Sequence, residues 1–243
     1  MEKCLVTKLN AVVNDESLPY IGKIRVRIKA NSGDVAIIIG VPWNEPDVDT
    51  PLTYTLVGGG DGKEVGIYHS GTYKGKTFTR KTDQITVNVG DKDAILFIDS
   101  PELRRIGLSG TANYVCELID KDFRYIPKLR EISLSYLTGS VIDLSKIIPN
   151  NKDLLKIFHM VALGSVKNGD VSCIRDCINI NDLTLNYSKM YGSLDDIFDN
   201  WAEKGKVGNL SLFVQGGTFI LNGQKINKYK GTIVFADGNW SAS

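Results

Sequence analysis

Four short stretches of this sequence carry residue types that could do chemistry. "GGGDGK" (58–63) has the glycines and lysine of a phosphate loop. A Walker loop needs glycine where Val57 stands and serine or threonine where Glu64 stands, so the stretch reads as a hairpin turn. "CIRDC" (173–177) spaces two thiols four apart, close enough to share a metal on a helix. A zinc site needs further ligands, and no CxxC pair or His-x-x-x-His accompanies it, so Cys173 and Cys177 read as small buried hydrophobes. The two histidines, His69 and His159, have neither a serine nucleophile motif nor a carboxylate cluster beside them. "LDDIFD" (194–199) is acidic, but it lies where a helix start favours acids. No catalytic, cofactor or metal constellation emerges.

The elements that would position any such residue are more legible. "PKLREISLSYLTGSVIDL" (127–144) aligns without a gap to "PELRRIGLSGTANYVCEL" (101–118). Leu103, Ile106, Leu108, Val115 and Leu118 match Leu129, Ile132, Leu134, Val141 and Leu144. Further copies start at Leu155, Ile180 and Val207, so the starts at 103, 129, 155, 180 and 207 define a period of about 26. Each L-x-x-I-x-L segment predicts a short parallel strand near 104–109, 130–135, 156–161, 181–186 and 208–213. Leu103, Leu129, Leu155, Ile180 and Val207 are expected to form one buried row. The returning segments "GSVIDL", "GDVSCI" and "GSLDDI" align on Val141, Val171 and Leu194. The return "SLDDIFDNWAEKG" predicts a helix, capped by Ser193 and ended by Gly205, with Leu194, Ile197, Phe198 and Trp201 on one face. A single turn cannot offset the conformational entropy of its own ordering, so the turns must stack. The tail alternates and carries "NG" and "DG", which predicts a β-hairpin cap.

Residues 1–92 lack this period and read as β, with strands at "KIRVRIKA", "DVAIIIGV" and "QITVNV". "AILFID" (94–99) is expected to lead into the first turn, and Trp43 sits in a Pro-rich loop. The chain has 243 residues and a formal net charge of +1. The charge is balanced in both halves, against the basic excess of a nucleic-acid binder. There is no apolar run of signal-peptide or membrane-span length, so the protein is expected to be made in a cytoplasm, with free thiols.

"MEKCLVTKL", "NDESL" and "GKIRVRIK", followed by turns such as "GDVSCI" and "GSLDDI", resemble a group of proteins encoded by phages and prophages of gut Bacteroidales. In that group a β-rich leader precedes leucine-rich repeats. The resemblance covers most of the chain. The repeats here are more irregular, and Asn113 stands where the first turn should have glycine. It implies a non-enzymatic virion component, such as a head or tail decoration, and no site residues come with it.

The expectation is therefore a mixed β and α/β fold. An N-terminal all-β domain (1–92) is followed by a leucine-rich-repeat solenoid of about five turns with a C-terminal β cap (93–243). The expected function is structural or adhesive, on a virion, with an intracellular bacterial adaptor as the alternative. Partners are other virion proteins or a host-surface protein or glycan, in a homo-oligomer or larger assembly, with no nucleic acid, membrane or cofactor. The expected binding surface is the outward strand face, read as Arg105, Glu131, Ser133, Tyr136, His159, Asp182, Asn186, Tyr187 and Phe213. Its columns are Arg105, Glu131, Ile157, Asp182 and Asn209; Gly107, Ser133, His159, Thr184 and Ser211; and Ser109, Ser135, Val161, Asn186 and Phe213.

Overall fold

A computed structural model describes residues 23–28, 34–40, 54–58, 62–73, 76–88, 94–99, 103–110, 116–118, 126–137, 141–148, 152–163, 165–187 and 189–243. The Trp43 loop and the middle of the "GGGDGK" turn (59–61) lie outside them. The described chain is mostly β. Its largest sheet is open and mixed, and five of its strands are parallel: β7 (Arg105–Gly110), β9 (Glu131–Ser135), β11 (Ile157–Val161), β13 (Asp182–Asn186) and β15 (Gly208–Leu221). Each pairs in register with the next. On one side β7 pairs antiparallel with β2 (Asp34–Gly40), followed by β5 (Lys76–Asn88) and β4 (Gly62–Tyr73). On the other side β15 continues into the antiparallel β16 (Gln224–Ala236) and β17 (Asn239–Ala242).

The parallel run follows from the apolar pattern. Ile106 and Leu108, Ile132 and Leu134, Phe158 and Met160, Leu183 and Leu185, and Leu212 and Val214 all bury their side chains on one face. Side chains two apart on a strand share a face, so each pair enters the same core layer. The returning segments close that core from the far side. Helix α1 (Leu144–Ile147), a 3₁₀ turn at Val171–Ile174, and helix α2 (Leu194–Glu203) bury Leu144 and Ile147, Val171 and Ile174, and Leu194, Ile197, Phe198 and Trp201. Each starts on a side-chain cap. Asp143 accepts from Ser145 N, Asp170 from Ser172 N, and Ser193 from Asp196 N.

The tail forms tight hairpins. Asn222–Gly223 and Asp237–Gly238 both have positive φ at each residue, the geometry of a type I′ turn. Asp195 holds the first turn by accepting from Asn222 N and Gly223 N. Phe235 and Trp240 meet Phe198 edge-on, at centroid distances of 5.8 and 5.2 Å. Trp240 Nε1 donates to Asp199 Oδ1 over 2.7 Å, tying the hairpin to α2.

Four expectations need correction. Val207 is 75 % exposed, and its place inside is taken by Lys206, only 8 % exposed. Lys206 Nζ donates to the carbonyls of Ile178 and Ile180, both at 2.6 Å, under the rings of Trp201 and Phe235. Second, the fifth strand is slipped by two residues. Leu183 pairs with Leu212 and Thr184 with Phe213, so the intervals between paired residues are 26, 26, 25 and 29. A slip of two keeps every side chain on its face, so the apolar pattern cannot detect it. The ten-residue helix α2 lengthens this return.

Third, the returns align by their caps: "DLSKI", "DVSCI" and "SLDDI" share one frame, three residues from the frame that "GSVIDL" suggested. Fourth, β6 (Ala94–Asp99) does not feed the parallel run. It lies in a separate antiparallel sheet, between β1 (Lys23–Ile28) and β3 (Tyr54–Gly58), and β8 (Cys116–Leu118) pairs with β1. The ladder between β2 and β7 joins strands on either side of residue 92.

Candidate functional site

The outward face of the parallel strands gathers the expected binding residues. Backbone pairing fixes its columns as Arg105, Glu131, Ile157, Asp182 and Ser211; Gly107, Ser133, His159, Thr184 and Phe213; and Ser109, Ser135, Val161, Asn186 and Gln215. The slip of β15 thus moves Ser211 beside Asp182 and Phe213 beside Thr184 and brings Gln215 onto the face, while Asn209 falls outside it. The other expected residues hold their places.

The two ends of this face differ. At the end where the strands begin, Glu131 is only 4 % exposed and Ile157 8 %. Arg105 Nε lies 2.9 Å from Glu131 Oε1, and His159 Nε2 lies 3.0 Å from Asp182 Oδ1. Neither nitrogen is aligned for a hydrogen bond, so the Arg105–Glu131 pair is a charge contact rather than a directed bond. Burial raises the Glu131 carboxyl above the ordinary glutamate range, and the nearby Arg105 and His159 pull it back. The row packs a charge pair into a dry position. A catalytic dyad would also need an open reacting site.

At the other end the strands finish in a repeated left-handed residue. Tyr136 (φ 55°), Ala162 (φ 50°) and Tyr187 (φ 48°) follow the last residue of β9, β11 and β13, and Gly216 (φ 70°) takes the same place within the longer β15. This conformation turns each N–H onto the next strand. Tyr136 N donates to Val161 O, Ala162 N to Asn186 O, and Tyr187 N to Gln215 O, at 2.8, 2.7 and 2.6 Å. A left-handed residue with a Cβ costs about 1–2 kcal/mol, and glycine avoids that cost. Two of these four positions nevertheless hold tyrosines, exposed by 50 % at Tyr136 and 55 % at Tyr187.

Tyr187 is held in place. Its ring lies against Gly216, where an added Cβ would stand 2.5 Å from Cδ1, and its hydroxyl accepts from Gln215 Nε2 at 2.6 Å. Gly216 is therefore required both by its φ and by the ring above it. The residues that precede the left-handed positions, Ser135, Val161, Asn186 and Gln215, are uncharged, and Lys228 on β16 pairs with Gln215.

The remaining chemistry-bearing residues lie elsewhere. Cys177 is buried, and burial pushes its thiol up to about 12, while Cys173 is raised further by burial and by its neighbour. Both are poor nucleophiles there. Asp176 on the outer surface is bracketed by Lys152 and Lys204, whose hydrogen bonds lower its carboxyl to about 2. Among the described residues, no group of three or more His, Cys, Asp and Glu could hold a metal ion, and no helix is long and apolar enough to cross a membrane.

The sequence reading anticipated the face but not its two environments. The signal for the rim was available: residues 110, 136, 162 and 187 recur at the repeat interval. Reading 216 with them required the true register of β15. The chain matches no protein-family model, no curated protein and no solved structure.

Proposed function

We propose that this chain is a non-enzymatic binding protein, a structural or adhesive component of a phage virion. In this reading the parallel run is a short leucine-rich-repeat solenoid with the C-terminal hairpins as its cap. The observation that carries it is the in-register parallel ladder from β7 to β15, with apolar residues inward and a mixed face outward. Stacked turns of this kind present a broad surface of precisely spaced side chains and no cleft that excludes water, which suits recognition rather than turnover. The virion assignment rests on the resemblance of the leader and turns to proteins of Bacteroidales phages. The leader (1–92) attaches the chain to a larger assembly, and the rest (93–243) presents the outward face to a protein or glycan.

Mass spectrometry of purified particles tests this. The chain is expected at a fixed copy number relative to the major capsid protein, retained through a wash at raised salt. Balanced charge gives no counterion-release term, so no affinity for duplex DNA is expected at physiological salt. A chain found in infected cells but absent from particles overturns the virion reading in favour of an intracellular adaptor.

A further inference from the structure

The tyrosine rim carries an inference that rests on this reading of the outward face and names its ligand. Tyr136 and Tyr187 occupy equivalent positions two strands apart, with Ala162 between them and Gly216 beyond. Strand spacing places their backbones roughly 10 Å apart. A bulky ring in one turn is followed by a small residue in the next, so the rings do not crowd each other. Tyr187 is fixed from below by Gly216 and at its tip by Gln215, leaving the rest of the side chain exposed. Two exposed tyrosines thus stand where the backbone conformation favours glycine.

We propose that this rim is a subsite for a neutral glycan chain, with sugar rings stacking on the two tyrosines. The apolar face of a pyranose carries axial C–H groups that pack on an aromatic face, while its equatorial hydroxyls need uncharged donors and acceptors. The rim supplies phenol rings at about the spacing of a disaccharide, with the Gln215 amide oxygen and the Ser135 hydroxyl oxygen beside them as acceptors, since Gln215 Nε2 donates to Tyr187 and Ser135 Oγ donates to Leu108 O. Its own residues are uncharged, with Lys228 beside Gln215 on β16 and the Arg105–Glu131 ion pair at the other end of the face. A protein partner would require a contiguous apolar centre ringed by polar residues. Here small residues interrupt the two rings.

Calorimetric titration of the full chain tests the proposal. The probes are neutral hexasaccharides of β-1,4-linked glucose, xylose and mannose and of α-1,4-linked glucose. At least one is expected to bind with a Kd of about 1 mM or tighter. Tyr187→Ala and Tyr136→Ala each weaken that binding at least tenfold, whereas Tyr187→Phe, which keeps the ring, retains most of it. Glu203→Ala on the exposed side of α2 leaves it unchanged and controls for folding. No heat with any probe, or binding unchanged in Tyr136→Ala/Tyr187→Ala, overturns the glycan subsite. Particle association separates the two readings. A chain present in virions that binds no glycan sinks only this proposal. A chain that binds glycan but is missing from virions sinks only the virion assignment.

Discussion

One sheet face holds two environments a few residues apart. Where the strands begin, Glu131 and Ile157 are packed away from water, with Arg105 half-buried beside them. Where they end, Tyr136 and Tyr187 stand in it. The first set is outward by the alternation of the strand, whereas Tyr136 and Tyr187 have the parity of the inward residues and stand in water where the left-handed backbone breaks that alternation, so alternation alone does not decide exposure. Burial decides what a side chain contributes. A charge in the dry row is coupled to its partner and to the fold, and a ring on the open rim is free to meet something else.

Breaking the dry row has the largest expected effect. Arg105→Ala leaves Glu131 buried without its partner and should cost about 3–5 kcal/mol at neutral pH. Chemical denaturation checks this, and a loss below about 1 kcal/mol would mean the row is wet. Leu134→Ala, on the inner face two residues past Ile132, should cost roughly 2–5 kcal/mol through the cavity it leaves. Ser133→Ala, its outward neighbour, should stay within about 0.5 kcal/mol.

The pH dependence sharpens the contrast. The folded state raises the Glu131 pKa, so it binds that proton more tightly than the unfolded chain. The resulting stabilisation is fully present below the ordinary glutamate pKa and is lost as pH rises through the raised value. The stability of the wild type relative to Glu131→Gln should therefore fall as pH rises from the ordinary glutamate pKa through the raised one and level off above it. A flat difference curve would show that the carboxyl is solvated. Removing Arg105 should matter less in acid, where Glu131 is protonated.

The smallest expected effect has the opposite sign. Tyr136→Gly relieves a left-handed residue and should leave stability unchanged or raise it by up to about 1 kcal/mol. Its thermal midpoint against the wild type reads this directly. A clear loss would mean that the ring is part of the packing.

The inner face was legible because a period of two within strands and about 26 between them left few alternatives for Ile106, Ile132, Phe158 and Leu183. The caps and the "NG" and "DG" turns were legible because each meets a specific local need. The register of β15 was not, because Leu210, Leu212 and Val214 satisfy the pattern at either of two alignments. Lys206 was missed for a related reason. A lysine reads as exposed, yet two carbonyl oxygens and two ring faces receive its ammonium inside the last turn, where burial still pulls its pKa down to about 8. The dry row was invisible because what covers a strand face is a tertiary fact. The rim was half visible, since Gly110 and Gly216 occupy the same column as the two tyrosines.

The central claim is that the open rim, not the dry row, is the surface this chain presents. Nitration of tyrosines with peptide mapping, on the free chain and on the chain bound to its particle or glycan, tests it most directly. Tyr136 and Tyr187 should be modified readily in the free chain and shielded in the bound one, with the equally exposed Tyr191 as the internal reference. Equal modification of Tyr136 and Tyr187 in both states would contradict the account.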